Sequence, residues 1–278
     1  MNRTASRSIA CALALCLLAL GVSAHAGLYD ATVLADNPRI YLRVGETSGL
    51  TAYDSGPYGG AQDGTYLAGP ALGVAGILAD DTAVGLTPNQ AIQVLDPFQP
   101  IAYTLEAWLR ADAGVTTGRG ILVRTAGDPN GTWSHQLRIT NTGLLQHYTF
   151  DGSVKHIVGT TTVEADTWYH VVGTATNGDR MRLYVNGALE AESSFTLGDL
   201  WTGGNQWLLG THSGDAAGTG PIQYFDGTLD EIAVYDYALT ADQIQAHYAA
   251  GVVPEPATTA LMGAGLLALL ARRRRRRA

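Results

Sequence analysis

The 278-residue chain has two cysteines, Cys11 and Cys16, and none after position 16. The remainder can form no disulfide, hold no zinc through sulfur and use no cysteine nucleophile. Lysine is nearly as scarce, with Lys155 alone. The longest apolar runs stop short of the roughly 18 residues that a spanning helix needs. His135, His147, His156, His170 and His212 are scattered, without His-x-His or His-Glu-x-x-His spacing, which assigns them core or turn roles. No Gly-Lys-Ser/Thr phosphate loop occurs, and no Gly-x-Gly-x-x-Gly follows a strand, so nothing points to nucleotide chemistry.

What is present starts at the two ends. Arg3 and Arg7 precede an apolar run, Ile9–Val22, which is followed by Ser23-Ala24-His25-Ala26. These are the three parts of a signal peptide spanning 1–26, with signal peptidase expected to cut after Ala26. Leu15 before Cys16 is too bulky for a lipoprotein cleavage site. At the other end, Val253-Pro254-Glu255-Pro256-Ala257 is followed by the apolar run Thr258–Ala271 and the arginines Arg272–Arg277. The prolines hold Glu255 in an extended segment that a protease can read. As a helix the run reaches roughly 21 Å, short of a hydrocarbon core of about 30 Å, and the guanidiniums keep its far end in the cytoplasm. Region 251–278 resembles the PEP-CTERM sorting signal of Gram-negative bacteria. The resemblance implies transient membrane insertion, cleavage near Pro254-Glu255-Pro256 by a sorting protease of the exosortase type, and delivery to the cell surface or extracellular matrix. A permanent tail anchor is the other reading of these residues.

The body between the ends, 27–250, is long enough for one domain with a real core. Of the 17 basic residues, 2 lie in the leader and 6 in the tail, and of the 25 acidic residues only Glu255 lies outside the body. The body therefore carries 9 basic against 24 acidic groups, a net charge of −15. Such a surface repels nucleic acid and anionic lipid and favours divalent cations. Short alternating runs separated by Asn-Gly, Asp-Gly and Gly-Gly predict an all-β fold of two antiparallel sheets packed face to face. The clearest run is Tyr103–Ala111, with Tyr103, Leu105, Ala107, Leu109 and Ala111 on one face and Thr104, Glu106, Trp108 and Arg110 on the other. Asn186-Gly187 predicts a two-residue hairpin turn. One helix is signalled: Thr240 and Gln243 form a capping box, Leu239 and Ile244 a staple, and Gly251 a stop, with packing expected on the edge of the sandwich.

Several segments resemble the concanavalin A-like, laminin-G-like jelly-roll family. They include Asn37–Glu46, Ala52-Tyr53-Asp54-Ser55-Gly56, Trp168-Tyr169-His170-Val171-Val172, Leu183-Tyr184-Val185-Asn186-Gly187 and Phe225–Tyr235. Ala233 and Asn186 depart from the basic residue and the aspartate common at those places. The family hosts lectins, adhesins, lyases and glucanases alike, so the resemblance fixes a fold and leaves function open. Its glucanases carry Glu-x-Asp-x-x-Glu on one strand; here Glu190-Ala191-Glu192 lacks the aspartate and reads as solvated surface.

Asp230 shares a face with Ile232 and Val234 if Leu229–Tyr235 alternates strictly, and a buried carboxylate there needs strong donors or a cation. The resemblance implies a structural calcium held by such an aspartate on the outer side of the sandwich, with oxygen ligands that calcium prefers; backbone N–H donors without metal are the alternative. Asp54 is a second metal candidate or an ordinary Asx-turn residue, and Asp80-Asp81 a weaker one. Trp133, Trp201 and Trp207, with Tyr148 and Tyr224, are candidates for a sugar-stacking platform, against plain core packing. The resulting expectation is an exported, non-catalytic module binding carbohydrate or a matrix polymer, with calcium holding its loops. A self-assembling matrix protein and a polysaccharide hydrolase or lyase are the alternatives.

Overall fold

The computed structural model describes residues 24–79, 81–97, 99–113, 118–125, 133–211 and 223–252. Pro254, Glu255, Pro256, the tail helix, His212 and Asp80 lie outside the described residues, as does the leader up to residue 23. The described elements, in chain order, are helix α1 (Ala24–Ala35), β1 (Ile40–Leu42), β2 (Thr51–Ala52), β3 (Gly64–Leu67), β4 (Ala71–Ala75), β5 (Thr82–Leu86) and β6 (Ala91–Leu95). There follow β7 (Ala102–Ala111), β8 (Arg119–Thr125), β9 (Trp133–Ile139), β10 (Leu144–Phe150) and β11 (Val154–Thr162). The last are β12 (Trp168–Thr176), β13 (Arg182–Val185), β14 (Ala188–Glu192), β15 (Gln206–Leu209), β16 (Gly227–Tyr235) and helix α2 (Ala241–Val252).

The strands form two eight-stranded antiparallel sheets. The first runs β14-β13-β12-β7-β16-β5-β4, with β1 also paired to β16; the second runs β11-β10-β9-β8-β15-β6-β3-β2. The alternation on β7 decides how they pack. Tyr103, Leu105, Ala107, Leu109 and Ala111 enter the core between the sheets and meet Ile121, Leu137, Ile139, Leu145 and Leu209 from the second sheet. Asn186 and Gly187 both have positive φ, +51° and +76°, as a type I′ turn between β13 and β14 requires. Glu190 and Glu192 lie at the surface, half-buried and exposed respectively, and are paired there. Glu190 accepts from the Thr160 N–H at 2.9 Å, tying β14 to β11, and Glu192 accepts from Arg180 and Arg182, each at 2.8 Å.

A second apolar cluster lies on the outer face of the first sheet. Trp108 and Tyr235 pack there under Tyr29 and Val33 of α1 and Ile244 and Ala250 of α2. Helix α1 carries no cap or periodicity strong enough to announce it. It crosses the expected cleavage point after Ala26, while its buried residues Tyr29 and Val33 come later in the chain. Helix α2 has the expected box: Gln243 N–H donates to Thr240 Oγ1 at 3.3 Å, and Thr240 N–H to Gln243 Oε1 at 2.9 Å. It covers the face of the sheet rather than its edge. Gly251 lies inside the helix, not beyond it, and a Cβ there would come within 2.5 Å of the Trp108 ring. The glycine allows close approach and does not terminate the helix.

Candidate functional site

The outer face of the second sheet carries a polar row that the ladder pairing defines. Across β9 and β10, Gln136 faces Tyr148 and Arg138 faces Gln146. Their neighbours Leu137, Ile139 and Leu145 point into the core, so these four side chains point away from it. Arg138 Nη2 donates to Gln223 Oε1 at 2.8 Å. The pair passes over Gly118, where a Cβ would stand 2.7 Å from the guanidinium and 2.8 Å from the amide oxygen. Gly118, Arg138, Thr140, Asn141, Gln146 and Gln223 line a cleft of about 340 Å³, within the range of small-ligand sites. One ladder step along the same strands, both amide atoms of Gln136 and the Tyr148 hydroxyl are buried with no protein partner, as is the Ser134 hydroxyl. Burial pushes the Tyr148 hydroxyl up to about 12, so it keeps its proton and can donate. Trp133 stands edge-on to Tyr148, ring centres 4.4 Å apart.

The predicted aromatic platform is divided by the structure. Trp133 is half-buried beside the polar row. Trp201 is also half-buried, but its indole lies across Gly203, where a Cβ would come within 1.9 Å of it. Trp207 is fully buried, with its Nε1 donating to Asp96 Oδ2 at 3.1 Å and the Arg124 guanidinium 5.0 Å from its ring. It cannot stack on a sugar, because β15 alternates Trp207 and Leu209 into the core.

Asp230 is buried, but on the opposite face from Ile232 and Val234. Glu231 sits at φ +49°, and the ladder to β7 slips between Asp230 and Ala233. This bulge shifts the alternation by one residue. Asp230 Oδ2 accepts the Ile77 N–H at 2.8 Å, while Asp230 Oδ1 and Glu231 Oε1 are buried without a hydrogen bond. Burial pushes Asp230 well above the usual carboxylate range, as do burial and the Asp230 charge for Glu231. Unsatisfied hard oxygens of this kind fit a calcium ion. Among the described residues no three His, Cys, Asp or Glu side chains converge as a metal set. Calcium here would therefore rest on Asp230 and Glu231, completed by carbonyls or water. Asp54 Oδ1 accepts the N–H groups of Tyr41 at 2.8 Å and Gly56 at 2.9 Å, the Asx-turn arrangement, while its Oδ2 is buried without a hydrogen bond.

A buried charge network escaped sequence reasoning. Glu106, on the outward face of β7, takes His170 Nε2 at 2.8 Å and His247 Nδ1 at 3.0 Å, with the hydroxyls of Tyr29 at 3.2 Å and Tyr235 at 3.1 Å. His247 Nε2 contacts Asp36 Oδ2 at 2.9 Å. Despite burial, the Glu106 and Asp36 carboxylates raise His247 to about 9, while the two histidines hold Glu106 well below its usual range. The chain of acid, histidine and acid invites a catalytic reading, but Glu106, His170 and His247 are all fully buried. The network fastens both helices to the sheet. Side chains up to 211 positions apart build it, so no local spacing could reveal it.

The chain is thus an antiparallel two-sheet sandwich with a polar cleft on one outer face. The chain belongs to the concanavalin A-like lectin/glucanases superfamily, which matches residues 84–245, more than half its length. Residues 252–276 match the PEP-CTERM protein-sorting motif. No curated protein matches the chain. Among solved structures, the binding domain of Paraclostridial Mosquitocidal Protein 1 is similar, with TM-score 0.57 and 15% identity over 77% of this chain and 52% of that one. A structure of botulinum neurotoxin type C, whose cell entry depends on two ganglioside molecules, gives TM-score 0.58 and 12% identity over 80% and 53%. The binding domain of botulinum neurotoxin DC in complex with SialylT gives 0.58 and 12% over 78% and 51%. The chain spans about half the length of these structures, and at such identities the likeness is one of fold.

Proposed function

We propose that this protein is an exported, non-catalytic module that binds carbohydrate, the polymer of a matrix or of a neighbouring surface, through the cleft on its second sheet. The observation that carries this reading is the cleft itself, lined by the guanidinium of Arg138, the amides of Asn141, Gln146 and Gln223 and the hydroxyl of Thr140. The vicinal hydroxyls of a pyranose both donate and accept, as these amides and the guanidinium require, and the half-buried Trp133 offers an apolar face nearby. The fold neighbours that meet gangliosides and SialylT lend the same class of ligand. In this reading the sorting motif is read by an exosortase-type protease that releases or attaches the body outside the inner membrane, and signal peptidase removes the leader after Ala26. Calcium is a structural ion at Asp230 and Glu231, steadying the Gly76–Ile77 turn. The test is a glycan array on the purified protein with calcium present, repeated on Arg138→Ala. Hits that vanish in the variant support the reading, and a blank array for the unmutated protein removes it.

A further inference from the structure

One rim of the second sheet ends on β11, which pairs with β10 and with no further strand. An edge strand turns every second N–H and C=O outward, where another chain can pair with them, and proteins commonly blunt such edges with charge, proline or a covering group. β11 is blunted along one half alone. Toward its end the Glu190 carboxylate takes the Thr160 N–H at 2.9 Å and the Thr161 N–H at 3.2 Å. Along Val154–Val158, no hydrogen bond from outside the ladder reaches the backbone among the described residues. Lys155, the residue type that often guards an edge, is folded back: its Nζ lies 3.9 Å from Asp151 Oδ1 and 5.4 Å from the centre of the Phe195 ring. The outward side chains of this half are Val154, 55% exposed, His156 and Val158, 37% exposed, while Ile157 enters the core. Six of the nine residues of β11 are β-branched, which favours pairing as a strand.

Charge selects the occupant. Two bodies of net charge −15 repel one another over most of their surface. Residues 152–163 hold no carboxylate and include Lys155 and His156, so two copies can meet along this rim without acid facing acid. The segment is also complementary to itself. Laid antiparallel about His156, Val154 of each copy faces Val158 of the other, and such β-branched pairs stabilise a joint between strands. We propose that β11 is a self-association edge, which pairs antiparallel with β11 of a second copy about His156 and joins the two second sheets into one of sixteen strands. The contact is isologous and closes at two copies, because each edge is used once. Its two-fold axis stands perpendicular to the sheet, so both clefts open on the same side. Arg138 of one copy and Arg138 of the other are then five strand spacings apart, roughly 24 Å across the strands. Five paired residues bury little area, so the dimer is weak in dilute solution and fills at the local concentration of a surface.

The experiment is analytical ultracentrifugation of the purified protein over a concentration series, with wild type, His156→Glu and His156→Lys each alone and the two variants mixed. Wild type is expected to pass from monomer to dimer as concentration rises. Each variant alone sets like charges opposite one another across the axis and should dimerise at least tenfold more weakly. An equal mixture of the two sets opposite charges there and should recover dimer to the wild-type level or above. His156 is exposed, so both variants keep the core, and an unchanged melting temperature checks that they do. A wild type that stays monomeric to the limit of its solubility overturns the proposal, whichever other chain then pairs with the edge. A dimer indifferent to both substitutions overturns it as well, because the joint then lies elsewhere, and so does a mixture that recovers no dimer.

Discussion

Gln136 holds an amide buried on the outward face of β9 with neither atom bonded to protein. Such a group costs about 1–3 kcal/mol. Gln136→Leu is therefore expected to raise the melting temperature by a few degrees, whereas Arg138→Ala, at the cleft, should weaken glycan binding; calorimetry and an affinity titration check the two in turn. Glu106 behaves oppositely. Replacing it with Gln leaves His247 without its buried counter-charge and should cost about 3–5 kcal/mol in urea unfolding. The pH dependence follows with a definite sign. His247 rises from an ordinary 6.5 to about 9 on folding. Its stabilising contribution is fully present below pH 6.5 and is lost as pH rises through about 9. Glu106 shifts downward, so its contribution is present above its ordinary value and fades in acid. Urea midpoints of the native protein should fall between pH 7 and 9.5, and His247→Gln should flatten that fall. An unchanged slope would show that the pair is not the titrating device.

Among the elements, α2 permits a clean test. Thr240→Ala removes the box seen at Gln243 and should cost about 1 kcal/mol. Gly251→Ala forces a methyl into the Trp108 ring and should cost more, although alanine is the better helix former. If Gly251 were merely a terminator, the ranking would reverse. The same elements show what the sequence disclosed. The alternation of β7, the Asn186-Gly187 turn and the Thr240 box were legible because each is a local pattern with one steric solution. The face of Asp230 was misjudged because a single αL residue, Glu231, moves the phase of β16 by one. Trp207 was misplaced because a four-residue strand of Gln, Trp, Leu and Leu gives no sign of which side is core. Helix α1 was hidden because, among its described side chains, Tyr29 and Val33 alone mark the buried side, and their role exists only once Trp108 and α2 are beneath them. The cleft pairs Arg138 with Gln223 across 85 positions, a distance at which spacing carries no information.

At the scale of the molecule, both helices lie on the first sheet and the cleft opens on the second. The sorting motif begins at Val252, the last residue of α2. A precursor held by its tail is expected to present Asn141, on the cleft, more readily than Gln245, on the helix. The chain has no cysteine beyond residue 16, so Asn141→Cys and Gln245→Cys each give one thiol in the body for a bulky maleimide applied to whole cells. Faster labelling at 141 is expected, and equal rates would argue against this orientation. The opposition of tether and cleft has a further result for how contacts add up. Copies rooted on one surface would all look outward in parallel, so a long polymer could be gripped by many shallow sites together. Each grip alone can be feeble and quickly reversed while the assembly as a whole holds fast, because every contact after the first is made at high local concentration. Avidity would then be a property of the coat and not of any single molecule in it.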